Sequence, residues 1–235
     1  MEIATAACSL VGPQDHAPEI SNMLQNLPES VGHALINQRA GMEQVVYNLL
    51  HRERSSARLS VTSPTFVFNG ALPIRYTADG PGVSPPLEWD AVPAGAGSIA
   101  ILVEDADSPT PHPLVHAIVV DLGPEILTLE EGALASPKHE GAGLETGPNS
   151  FFQRAWLPPD PPRGHGEHRY VFQVFALMPG PSFSSAPGRR EFIEAILNRT
   201  LAVGCLIGTY ERPGSDEVDR EEILTSPEAP LPASE

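Results

Sequence analysis

Twenty-six prolines and 20 glycines divide this 235-residue chain into short apolar runs, and that punctuation limits what it can fold into. Proline lacks a backbone donor and glycine weakens helix interiors, so the middle of the chain cannot carry long helices. Between the breaks lie Val61, Phe66 to Phe68, Ile74 to Tyr76, Ile99 to Val103, Val115 to Leu122, Tyr170 to Leu177 and Gly204 to Tyr210. Short runs with such boundaries read as strands, and the layout predicts a mainly β protein, an antiparallel β-sandwich. Residues 123 to 163 have almost no period, and a long irregular segment inside a compact domain is often functional.

Helical spacing appears at the two ends of this region. Val31, Ala34 and Leu35, then Met42, Val45, Val46, Leu49 and Leu50, recur at helical intervals with Gly41 as a break. They predict an N-terminal helical extension whose apolar stripe packs on the domain or forms a contact with a protein partner or a second copy. Phe192, Ile193, Ile196, Leu197 and Leu201 predict a C-terminal helix covering the sheet. The expected division is a loose then helical extension over 1–58, a domain over 59–213, and an acidic proline-rich tail over 214–235.

The formal charge of −16 argues against nucleic acid, which is bound mainly by lysine and arginine. Much of that charge sits in the tail, in Asp216, Glu217, Asp219, Glu221, Glu222, Glu228 and Glu235. Cys8 and Cys205 are the two cysteines and do not suggest a bridge. No apolar run reaches membrane-spanning length, and the N-terminus lacks a basic region typical of a signal peptide. The expectation is a cytoplasmic protein without a transmembrane segment.

Two stretches carry the chemistry. Asp105 and Asp107 follow the run Ser98 to Val103, and His168 and Tyr170 precede Val171 to Leu177. Side chains alternate along a strand, so each pair at i and i+2 is expected to point one way. If the two strands are neighbours, carboxylates, imidazoles and a phenol meet at one end of a sheet. His168 and Tyr170 would donate to an anion, and Gly164 and Gly166 would let backbone approach closely. Asp105 and Asp107 would accept from His116, His168 or loop N–H groups. Arg169 is expected on the opposite face, in an ion pair.

The order Phe66, Asn69-Gly70, Leu72-Pro73, Tyr76-Thr77, Asp79-Gly80, Ser84-Pro85-Pro86-Leu87 and Trp89, followed by Asp105-x-Asp107-x-Pro109, Val115-His116 and Gly164-x-Gly166-x-His168-Arg169-Tyr170, resembles the phosphatidylethanolamine-binding protein family. It is most similar to bacterial and fungal members often called Raf-kinase-inhibitor-like proteins, over residues 60 to 213. The resemblance implies that family's type of β-sandwich and an anion pocket lined by Asp105, Asp107, His116, Pro162, His168 and Tyr170. It implies no metal and no cofactor. Leu114, Ala106 and Asp160 depart from the family pattern, and a carboxylate at Asp160 would oppose a phosphate head group.

The main functional expectation is therefore binding of a small anionic or polar ligand, and a regulatory module that contacts a protein partner through the pocket rim is a further option. The alternative is a small-molecule enzyme of secondary metabolism, since some fungal relatives are associated with joining or cyclising anhydride-like metabolites; His116 or His168 would then serve as acid or base. A metal centre drawn from His112, His116, His165, His168, Asp105, Asp107 and Asp160 is a third arrangement that the spacing does not single out. No Gly-x-Ser-x-Gly element and no phosphate-binding loop is present.

Overall fold

A computed structural model of the chain describes residues 27–53, 57–136, 139–183 and 186–212. The segment expected to be loose, residues 1 to about 20, and the acidic tail from 214 lie outside the described residues, as does Cys8.

Two helices and a turn come first among the described residues: α1 at Glu29–Leu35, a 3₁₀ turn at Met42–Gln44, and α2 at Val46–Glu53. Gly41, with φ of 99°, separates them in a backbone conformation that side-chain-bearing residues rarely adopt. Among the described residues ten strands follow, interrupted by one α-helix: β1 (Ala57–Arg58), β2 (Val61–Thr62), β3 (Gly70–Ala71), β4 (Leu87–Trp89), β5 (Ser98–Asp105), β6 (Leu114–Leu122), β7 (Thr128–Leu129), β8 (Thr146–Gly147), β9 (His168–Leu177), α3 (Arg189–Ile196) and β10 (Thr200–Tyr210).

The large sheet runs β1-β10-β9-β5-β6-β8, with β3 also on β10, and a small sheet runs β2-β4-β7. The expected wholly antiparallel pairing needs correction. The pairs β9–β10, β5–β9 and β5–β6 are antiparallel, but β1 and β3 both join β10 in parallel, so the sheet is mixed. Strands this short carry no alternation from which orientation could be read. Phe66 to Phe68 lies outside the strands, and Ile74–Tyr76 is a 3₁₀ turn entered from Pro73, leaving Val67, Phe68 and Ile74 exposed.

Alternation along β5 and β9 divides the core in two. Ile99, Ile101 and Val103 with Phe172, Val174 and Ala176 meet Val61, Leu87, Trp89 and Leu129 of the small sheet in one cluster. On the other face Ala100, Leu102, Phe175 and Leu177 meet Val46 and Leu50 of α2 and Phe192 and Ile196 of α3. Phe175 and Phe192 touch edge to face with ring centroids 5.6 Å apart. Val45, Val46 and Leu50 are buried, Leu49 is partly buried, and Val31 and Leu35 remain half-exposed, so the apolar face of α2 is covered by this chain's own sheet. No described helix is long and apolar enough to cross a membrane.

Candidate functional site

Register places the site. Strands β5 and β9 pair so that Asp105 stands opposite Tyr170, Val103 opposite Phe172 and Ile101 opposite Val174. Asp105 and Tyr170 therefore continue, at the strand ends, the face that carries the first core cluster. β6 adds His116 from the other side of β5, and its ring meets Tyr170 edge to face at 5.0 Å and Trp156 at 5.9 Å between centroids. Beyond these strand ends opens a cavity of about 660 Å³ lined by Asp105, His116, Pro162, His168 and Tyr170, together with Asp160, Arg189 and apolar residues of the loops.

Two of the expected residues lie elsewhere. Past Asp105 the chain turns, the Asp107 N–H donates to Asp105 Oδ1, and Asp107 leaves the cavity lining. Its carboxylate accepts from Arg169 Nε and Nη2, both at 2.7 Å, and from the Arg169 N–H, and pairs with Arg39 Nη1 at 3.1 Å. These donors hold Asp107 below the ordinary carboxylate range although burial pushes the other way. Strand alternation stops where the strand stops, so i and i+2 no longer share a face. Gly164 also stands outside the lining, with φ of 75° in the turn that brings the chain into β9.

His168 is held at both ring nitrogens. Nδ1 lies 2.7 Å from Asp105 Oδ2, and Nε2 lies 2.6 Å from Nδ1 of His165. Neither nitrogen is open to a ligand in this arrangement. His116 and Tyr170 differ. His116 Nδ1 sits 2.6 Å from the Leu157 carbonyl and must carry the proton it donates there. Its Nε2 is consequently a bare acceptor, buried and without a hydrogen-bond partner among the described residues, and the Tyr170 hydroxyl is likewise unmatched. Burial lowers His116 below its ordinary range, against the opposing pull of Asp105, which keeps the ring neutral. Burial, and then Asp105 and Asp160, raise Tyr170 well above the ordinary phenol, so it keeps its hydrogen.

The rest of the cavity offers little polar competition. Seven lining residues, Pro109, Pro111, Pro113, Pro148, Pro158, Pro161 and Pro162, have no backbone N–H to give. Leu114, Val115, Phe151, Phe152 and Leu157 supply apolar surface, and Phe152 is 91% exposed at a φ of 62°. Asp160, expected from the sequence to oppose a phosphate head group, is buried in ion-pair contact with Arg212. Neither Asp160 oxygen meets hydrogen-bond geometry despite that contact, so the pairing is one of charge and not of aligned hydrogen bonds. Burial pushes Asp160 up to about 6, outweighing Arg212. Arg212 Nε also donates to Asp79 at 2.8 Å.

No group of three metal-ligating side chains is placed to hold an ion among the described residues. Sequence reasoning passed over Trp156, whose buried ring backs His116, and the pairing of Glu104 with Arg189 beneath the site. It also missed the linkage of His165 to His168. The period-2 pattern of β5 did put Glu104 on the helix-facing side, where a carboxylate among apolar neighbours demands a partner.

The family model described as phosphatidylethanolamine-binding protein matches residues 62–211. An Aquifex aeolicus protein, named UPF0098, is 36% identical over 158 residues, covering 66% of this chain and 90% of its own length. A UPF0098 protein of Mycobacterium tuberculosis is 34% identical over 153 residues, 65% of this chain and 70% of its own. Among solved structures, a phosphatidylethanolamine-binding protein homologue from Chlamydia trachomatis is 32% identical with a TM-score of 0.59, covering 67% of this chain and 99% of its own. Escherichia coli YbcL, described as a member of the mammalian family, is 26% identical with a TM-score of 0.60, over 66% and 99%.

Proposed function

Since this chain belongs to the phosphatidylethanolamine-binding protein family, we propose that the cavity at the ends of β5, β6 and β9 binds a small ligand with an apolar body and a compact polar end. One observation carries the reading: His116 Nε2 and the Tyr170 hydroxyl are buried at a largely apolar cavity with neither a hydrogen bond nor an ion pair, whereas the Asp160 oxygens at least meet the Arg212 charge. Leaving such groups unmatched costs about 1–3 kcal/mol each, which a ligand that completes them recovers.

The two atoms ask for different things. His116 Nε2 requires a donor, whereas the phenol can donate or accept. An alcohol satisfies both, and so does a phosphate monoester that keeps one proton. A fully ionised carboxylate satisfies Tyr170 alone and sets its lone pairs against those of His116. The expected anionic ligand thereby narrows to an anion that retains a hydrogen, beside neutral polar groups. No observation favours the acid/base alternative, because His168 has both nitrogens engaged and His116 is as well explained by binding.

Calorimetry with phenyl phosphate, benzoate and benzyl alcohol tests this. Phenyl phosphate is expected to bind more tightly as pH falls through its second ionisation near ~6, with benzoate weaker than both other probes. Benzyl alcohol has no such ionisation and so reports any pH effect of Asp160 itself. Tyr170→Phe and His116→Phe should each weaken phenyl phosphate by about 5- to 150-fold, the equivalent of about 1–3 kcal/mol. Absence of binding by all three probes, or affinities untouched by either substitution, would remove the proposal.

A further inference from the structure

The segment ahead of the family-matched region is built into the back of the site. Arg39 Nη1 donates to the Glu167 carbonyl at 2.7 Å and Nη2 to the His165 carbonyl at 3.1 Å. The Ala40 N–H donates to the Ser108 carbonyl and the Gly41 N–H to the Ala106 carbonyl. Residues 39–41 thus bridge the loop after β5 and the loop before β9. Upstream, α1 lies so close to the second loop that a Cβ on Gly32 would fall 1.9 Å from the Arg163 carbonyl oxygen. Only glycine permits that approach.

The bridge reaches the histidines. His165, fully buried, directs Nε2 at two carbonyl oxygens of this segment, Leu35 at 2.9 Å and Gln38 at 3.1 Å. A carbonyl only accepts, so Nε2 must carry a proton. One proton must then lie between His165 Nδ1 and His168 Nε2, and one between His168 Nδ1 and Asp105. Three gaps hold three protons, and two imidazoles and a carboxyl with three protons have no net charge. Burial pushes His165 below its ordinary range, which disfavours a doubly protonated ring there.

We infer that His165 is a positioning residue and that residues 28–45 belong to the site: the Leu35 and Gln38 carbonyls fix the His165 tautomer, and His165 in turn holds His168 with no nitrogen open to a ligand. His116 and Tyr170 are then the polar contacts left for a ligand at the strand ends. That last consequence rests on the binding reading; the proton arrangement does not.

Long-range proton–nitrogen correlation spectra of the full chain labelled with ¹⁵N-histidine test the arrangement, with assignments from His165→Gln and His168→Gln. The expected result is a protonated, exchange-protected Nε2 on His165 and a proton shared between His165 Nδ1 and His168 Nε2. Arg39→Met should speed exchange of the His165 Nε2 proton by at least ~10-fold, in line with a loosened buried hydrogen bond, while the amide spectrum stays folded. Gly32→Leu should abolish that signal by pushing α1 off Arg163; should this variant not fold, Arg39→Met decides. A His165 protonated at Nδ1 with bare Nε2, or His165 signals indifferent to Arg39→Met, overturns the inference. Added phenyl phosphate should move the His116 resonances and leave those of His168 in place. If phenyl phosphate fails to bind but the histidine pattern is as described, the binding reading falls and the positioning role stands. A ligand-induced shift confined to His168 Nε2 would overturn the positioning role while leaving binding intact.

Discussion

Arg189→Met is expected to destabilise the protein by about 3–5 kcal/mol, the scale for stranding one member of a buried ion pair. Glu104 is fully buried on the helix-facing side of β5. Its carboxylate accepts from Arg189 Nε at 2.6 Å, from Gln173 Nε2 at 2.8 Å and from the Val46 N–H at 2.9 Å. The last bond places a negative charge at the start of α2, where the orphan N–H groups and the helix dipole favour it. Arg189 Nη2 also donates to the Gln44 carbonyl just ahead of α2. One charge pair therefore ties the N-terminal helix, the first turn of α3 and the centre of the large sheet. With the guanidinium gone, neutral donors alone face a carboxylate that water does not reach. Urea denaturation of the full chain measures the loss, and Glu104→Leu combined with Arg189→Met should recover most of it. A loss below ~1 kcal/mol for the single change would mean that water reaches Glu104 and the pair is a surface contact in effect.

Asp160 should make the protein less stable as pH rises from about 4 to 7, by roughly 3 kcal/mol. Its folded pKa of about 6 lies some two units above the ordinary 3.8, and each unit corresponds to about 1.4 kcal/mol. The protonated carboxyl is favoured in the folded state, so its contribution is complete below 3.8 and is lost as pH rises through about 6. Asp79 and Asp107 are lowered instead, and what they add is lost only as pH falls below the ordinary carboxylate range. The lowered His116 and His165 oppose Asp160 in part, gaining stability as pH rises towards 6.5. The difference between wild type and Asp160→Asn isolates the carboxyl. That difference should favour Asp160→Asn at pH 7.5 and shrink steadily towards pH 4.5. A difference independent of pH would show that Asp160 ionises normally and that the Arg212 contact fully offsets its burial.

Much of this architecture was legible without coordinates. Ile99, Ile101, Val103 and Asp105 alternate with Ala100, Leu102 and Glu104, and Tyr170, Phe172 and Val174 alternate with Val171, Gln173 and Phe175. Period 2 is a local property of extended backbone, so the sharing of one face by His168 and Tyr170 followed from spacing alone. The break at Gly41 was equally local. Family motifs placed β5, β6 and β9 together, because several ordered motifs over 150 residues constrain more than any one of them.

What the sequence could not determine lies where partner choice depends on distant chain. Asp107 was expected beside Asp105, but a turn after β5 gives it to Arg169 and Arg39, 62 and 68 positions away. Asp160 was expected to oppose a phosphate head group, and only the fold brings Arg212, 52 positions later, against it. β1 and β3 are two residues long, too short for any pattern to announce parallel pairing with β10. His168 was read as open to a ligand, and only the meeting of His165 with carbonyls some 130 positions earlier occupies its second nitrogen. Local sequence determines which face a side chain takes; tertiary packing alone decides which donors and charges meet it there, because a hydrogen bond or ion pair acts over a few ångströms and is indifferent to separation along the chain.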